Sequence, residues 1–168
     1  MSVRVVADRA DGYRLLSARN DLLGWVRGRA IGVSGFVDED ALTSAAIRSY
    51  QVLAVWLERQ HLHPLPELND DPARLIHDGA HRWILIGRVP VARVLTNTPY
   101  DAAADTHAFE IVVKGSISEG MGIHAALVAL RAAHGRIDAA DIAWADRNGS
   151  LGARSSIAPT TRLELEAL

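Results

Sequence analysis

The chain lacks cysteine altogether, holds a single lysine, Lys114, and is poor in aromatic residues, which make up 5% of its 168 positions. Without a thiol there is no disulfide framework, no thiolate zinc site and no cysteine nucleophile, so any catalysis must use other side chains. Long apolar runs are missing as well. The longest, Val52 to Leu57 and Ala125 to Leu130, fall far short of the roughly 18 residues a membrane-spanning helix needs. The amino-terminal MSVRVVADRADGY breaks its apolar residues with charges every few positions, unlike the continuous apolar stretch of a secretory signal. A soluble, cytoplasmic protein of bacterial type is therefore expected. An excess of one charge is also lacking: 18 basic and 20 acidic groups leave −2. No global field draws the chain to a membrane surface, and nucleic acid is an unexpected partner.

What is present is an apolar fraction of 49%, enough for a core without staples in one domain, or in two modules of about 80 residues that share one. All the basic residues but Lys114 are arginine, the side chain suited to bidentate recognition of carboxylate and phosphate. Alanine is equally abundant, and a GC-rich coding sequence enriches both.

Val3 to Ala7 and Tyr13 to Ala18 have the pattern of strands, and Leu23 to Arg27 returns after the Arg19-Asn20-Asp21 turn, making residues 12–28 a hairpin. Ala30 to Phe36 keeps the two-residue period of a further strand. The period then changes. Asp38 is placed to cap a helix whose first turn holds Glu39 and Asp40, and Leu42, Ala46, Ser49, Leu53 and Trp56 mark one buried face as far as Gln60. Residues 61–72, HLHPLPELNDDP, have no period and are expected to connect two halves. Asp71-Pro72 has the form of a helix start, predicting a short helix that stops at Asp78-Gly79. Trp83 to Ile86 and Val91 to Leu95 predict a second hairpin through Gly87-Arg88, and Ala108 to Val113 a strand. A helix then runs from about Glu119 to His134, with Gly135 as its stop.

Element order and spacing predict an α+β protein of two βββα-type halves, residues 1–60 and 81–135, forming an internal repeat. A mainly antiparallel sheet carries two long helices, each with an alanine pair, Ala45-Ala46 and Ala125-Ala126. Residues 61–80 are the connection, and residues 136–168 a partly mobile extension. Within the extension, Asp141 to Ala145 is expected as an edge strand or short helix, and Arg162-Leu-Glu-Leu-Glu as a strand. Mobility is expected over residues 152–161.

The sharpest local motif is KGSISEGMG, residues 114–122, between a strand and a helix. Lys114, Ser116, Ser118, Gly120 and Gly122 form a candidate anion cradle of helix-start N–H groups, hydroxyls and glycines. It is no Walker A loop, because Met121-Gly122 stand where Lys and Ser/Thr are required, and Glu119 places a negative charge in the cradle. WILIGRVPVARVL, AFEIVV and GMGIHAALVAL, within residues 82–150, together resemble the core of the GNAT acyltransferase superfamily. The matching positions are Gly120, Gly122, Ile123, Ala126 and Leu127, with Asn148 near the next strand end. That resemblance implies an N-acyltransferase whose loop N–H groups hold the pyrophosphate of acyl-CoA. The chain departs from the family in lacking an arginine or glutamine before the first glycine and a tyrosine after Asn148.

Imidazoles and carboxylates gather at His61, His63, Glu67, Asp70, Asp71, His77, Asp78 and His81, but their spacing aligns no metal set, and solvated loop residues account for them. His107 and His124 are isolated. Arginines at positions 4, 14, 27, 29, 82, 88 and 93 fall in or beside strands. Arg14, Trp25, Arg27, Arg29 and Arg93 are the candidates for a sheet face that would stack single-stranded nucleic acid or hold an acidic partner. No complete catalytic set and no resident cofactor emerge. The expectation is a binding or interaction module, with the acyl-CoA enzyme and the arginine face as alternatives. A homodimer through the sheet or an edge strand is a third.

Overall fold

Alternation of buried and exposed side chains sets the strands. In β1 (Val3–Asp8), for example, Val3 and Val5 are fully buried on one face. β2 (Gly12–Ser17), β3 (Leu22–Arg27) and β4 (Ala30–Ser34) come next in the chain, then α1 (Glu39–Arg59). β5 (Ala73–Asp78), β6 (His81–Ile86), β7 (Val89–Leu95) and β8 (Thr106–Ile111) lead into α2 (Glu119–His134), and β9 (Thr160–Arg162) comes last. The computed structural model describes residues 3–8, 12–60, 68, 71–96, 105–139, 141–143 and 160–162. The protein is thus α+β, with an antiparallel sheet and two long helices.

Both helices end where local chemistry dictates. The Asp38 carboxylate accepts from the Ala41 N–H at 2.7 Å, and the Ser118 hydroxyl accepts from Met121 N–H at 3.4 Å. α2 stops at Gly135, whose φ of 60° is left-handed.

Residues 73–78 correct the sequence-based expectation: they are strand, not helix. Asp71-Pro72 does resemble a helix start, but the six residues after it pair with β6 without a break, from Ala73 opposite Ile86 to Asp78 opposite His81. Asp78-Gly79 is the entry to a two-residue hairpin turn rather than a helix stop, and Gly79 takes the positive φ of 57° that such a turn needs. Each long helix is therefore preceded by four strands, not three.

The sheet runs β5-β6-β7-β8-β4-β3-β2-β1-β9, and every pairing in it is antiparallel. β4 and β8 meet at its centre, with Gly32 opposite Ala108. Each helix crosses to the other half's strands: α1 packs on β7, β8 and β5, and α2 on β3 and β4. The core lies between, where Val5, Leu15, Val26, Ile31, Ile84 and Phe109 meet Leu53, Leu57, Ile123 and Leu127. Small residues at the helix contact let the backbones approach, and the Ser49 hydroxyl lies 3.2 Å from the Ala125 carbonyl oxygen.

After α2, Ile137 and Asp141 are buried and residues 141–143 are helical, the second of the two forms expected for that segment. β9 pairs with β1 from Arg4 opposite Arg162 to Val6 opposite Thr160. Of the segment expected to be mobile, residues 152–161, the last two belong to β9 and residues 152–159 lie outside the described residues, as do His61, His63, Glu67, Asp70 and Asn148.

Candidate functional site

Four places bring chemistry-bearing side chains together. The first is the amino-terminal end of α2. Tyr13 of β2, Val26, Gly28, Ile117, Ser118, Glu119 and Gly122 line a small pocket of about 90 Å³. Of the predicted cradle, Ser118 and Gly122 are in this lining, while Lys114 and Ser116 are exposed and Gly120 lies outside it. The pocket's one acidic group is the Glu119 carboxyl, which accepts a 2.6 Å hydrogen bond from the Tyr13 hydroxyl. As an acidic residue in the first turn of α2, Glu119 complements the positive end of the helix dipole and opposes an incoming anion. Burial, then the hydrogen bond to Glu119 and its charge, push the Tyr13 phenol up to about 12. Glu119→Gln is expected to bring the Tyr13 midpoint down toward its ordinary 10.0, read by ¹³Cζ NMR of labelled tyrosine. An unmoved midpoint would break this pairing.

The second place is the sheet face away from the helices. Register puts Arg14 opposite Trp25, Arg27 opposite Ala30, Ala30 opposite Glu110 and Glu110 opposite Arg93, all on that face. The predicted arginines do share a face, yet acids are interleaved with them. Arg14 pairs with Asp8 at 3.0 Å. Arg93 reaches one Glu110 oxygen at 2.7 Å, and Arg29 lies 3.9 Å from the other while donating to the Val113 carbonyl at 2.7 Å. Trp25 is 2% exposed and lies flat over Gly32. Its ring is part of the packing and is not presented to solvent as a stacking platform, which corrects that expectation.

Third, the solvent side of the two helices holds a groove of about 280 Å³ lined by Gln51, Val52, Val55, Trp56 and Arg59 of α1 and His124 of α2. Val55 is 45% exposed, one of three large apolar side chains so exposed among the described residues. The Trp56 and His124 rings stand 5.9 Å apart, and His124 Nδ1 lies 3.2 Å from the Ile142 carbonyl oxygen. His124 is thus held in place by its neighbours.

Fourth, His107 of β8 and His134 at the end of α2 come together beside Arg136. Burial, then the Arg136 charge, lower the His134 pKa, with His107 adding to it. Sequence spacing gave no sign of this pair. Among the described residues no group of three His, Asp or Glu converges on a metal position. No helix among them is long and apolar enough to cross a membrane.

Compared with known proteins, the chain matches no family model, no curated protein and no solved structure.

Proposed function

We propose that this chain is a binding module whose recognition surface is the groove between α1 and α2, and that its ligand is a peptide segment carrying both apolar and acidic side chains. The observation that carries this is Val55, exposed in a groove whose remaining lining is apolar, amide, imidazole and guanidinium, with no carboxylate. An apolar floor supplies the burial and Arg59 the charge complement; convergent polar groups around an apolar surface are the usual form of a ligand site. The first turn of α2, by contrast, carries its own carboxylate, and the arginines of the open sheet face share theirs with Asp8 and Glu110.

Two further features fit such a module. The strand order is the same read outward in either direction from the β4–β8 pair, and each helix covers the other half's strands. We read the two halves as copies of one four-strand and helix unit that cannot bury their apolar faces separately, an arrangement that leaves a two-helix surface free for partners.

Isothermal titration with a helical peptide bearing leucine on one face and glutamate on the other is the test. Binding in the micromolar range is expected, weakening with salt, and weakened about tenfold or more by Arg59→Glu or Val55→Asp in chains that melt like the wild type. The same titrations with coenzyme A and with a single-stranded oligonucleotide are expected to be silent. Coenzyme A binding abolished by substitution in residues 114–122 would replace this reading with the acyltransferase. Oligonucleotide binding lost on Arg27→Glu would replace it with the arginine face.

A further inference from the structure

The two edges of the sheet are finished differently. β1 is covered by β9, whereas β5 ends the described sheet with no strand beyond it. An uncovered edge presents a row of backbone N–H and C=O groups, and proteins usually defend one with charged side chains, proline or a bulge. β5, Ala73-Arg-Leu-Ile-His-Asp, has neither proline nor bulge within it and pairs with β6 in unbroken register, and its two charges, on Arg74 and Asp78, are of opposite sign. Arg74, Ile76, His77 and Asp78 are all exposed, and Ile76 is one of the three exposed large apolar side chains among the described residues.

The charges on this strand have a particular arrangement. Arg74, Ile76 and Asp78 alternate onto one face, the face that also carries Trp83 opposite Ile76. A positive group stands two residues before the isoleucine and a negative group two residues after it. When such a strand pairs antiparallel with a copy of itself about Ile76, Arg74 of each chain falls opposite Asp78 of the other. Both ion pairs form at once, flanking an Ile76–Ile76 contact. Directly opposed side chains in an antiparallel pair stand about 5 Å apart at Cβ, within reach of opposite charges. Asp78 is engaged in no ion pair among the described residues, and Arg74 donates only through Nη2, to the Gly87 carbonyl at 2.9 Å. The partner this edge complements in charge, shape and hydrogen bonding is a second copy of the chain.

We infer that β5 is a self-association edge, through which two copies join antiparallel about a two-fold axis at Ile76, extending the sheet continuously from one molecule to the next. A closed two-fold contact uses the same patch on both copies, so it ends at the dimer and leaves the helix groove of each copy free.

Sedimentation equilibrium on the full chain tests this, up to roughly 100 μM because a strand-edge interface is small. The wild type is expected to show a reversible monomer–dimer equilibrium that weakens with added salt. Arg74→Asp leaves the strand acidic at both positions, and Asp78→Arg leaves it basic at both. Each variant alone is expected to lose dimer by about tenfold or more, because like charges then oppose across both symmetry-related pairs. Mixing the two variants is expected to restore association, since an acidic strand then meets a basic one, and the double reversal R74D/D78R in one chain is expected to dimerise as well. Thermal melts matched to the wild type confirm that the variants fold. A wild type that stays monomeric over the whole range overturns the inference. So does a dimer indifferent to either single reversal, or a mixture of the two that stays monomeric.

Discussion

Gly32→Ala is expected to destabilise the protein by roughly 3 kcal/mol, at the upper end of what overpacking a core costs. Gly32 sits in the middle of β4 at the centre of the sheet, with Trp25 directly across from it on β3. A methyl group built there would lie 2.0 Å from the indole Nε1 and 2.2 Å from Cε2. Neither strand can yield readily, because β4 is held on its other side by β8. The indole must leave its place, and a side chain now 2% exposed would surrender its contacts. The small gain alanine makes over glycine in backbone entropy, below about 1 kcal/mol, offsets only a fraction. A second substitution isolates the cause. If the indole is the obstacle, Trp25→Val alone is costly, but adding Gly32→Ala to it should cost little more, so the double variant falls well short of the sum of the singles. Urea denaturation of the four proteins measures this. A single Gly32→Ala variant within about 0.5 kcal/mol of the wild type would show that the indole has room to move, which the geometry denies.

The same tryptophan illustrates which parts of the molecule the sequence discloses. Trp25 lies on the face away from the helices, as expected for a residue alternating with Val26, which lies beneath Gly122 of α2. Alternation tells which of two faces a side chain takes, not whether that face is covered, so Trp25 is buried on the same face that carries Arg14, Arg27 and Arg93. Both long helices were legible in the sequence, with the Asp38 cap and the Gly135 stop placed to the residue, because capping groups act within one turn of the chain. β5 was not. Asp71-Pro72 carries a real helix-start signature, and the pairing with β6 that overrides it comes from beyond the turn. The Tyr13–Glu119 contact spans 106 residues, and no local rule reaches across that distance. The helix groove had left a trace: Val55 is an apolar residue on the solvent stripe of α1 that also holds Arg48, Gln51 and Arg59. What was hidden was that α2 would lie alongside and supply His124.

Asp141→Asn is expected to stabilise the protein at neutral pH, by roughly 3 kcal/mol, and to leave its stability at pH 4 nearly unchanged. Asp141 is 0% exposed. Burial pushes its carboxyl up from 3.8 to about 6, and the charge of Asp138 adds to the shift, while backbone N–H groups of Val3 and Asp138 offset part of it. The sign comes from proton binding. Between pH 3.8 and about 6 the folded chain holds a proton on Asp141 that the unfolded chain has already released. Folding is therefore favoured below this window, loses stability as pH rises through it, and bears the full net cost of the raised pKa above it. Asparagine has the shape of the protonated acid and no charge to bury, so the variant should not share this pH dependence. At pH 7 its melting temperature should rise by roughly 10 °C, given the 2–4 °C per kcal/mol usual at this chain length. Urea or thermal denaturation at pH 4, 5, 6 and 7 gives the answer, and the difference between variant and wild type should grow with each step. A variant less stable than the wild type at pH 7 would mean that the folded chain holds the ionised carboxylate in favourable contacts, and the assignment of Asp141 as a destabilising buried acid would fall.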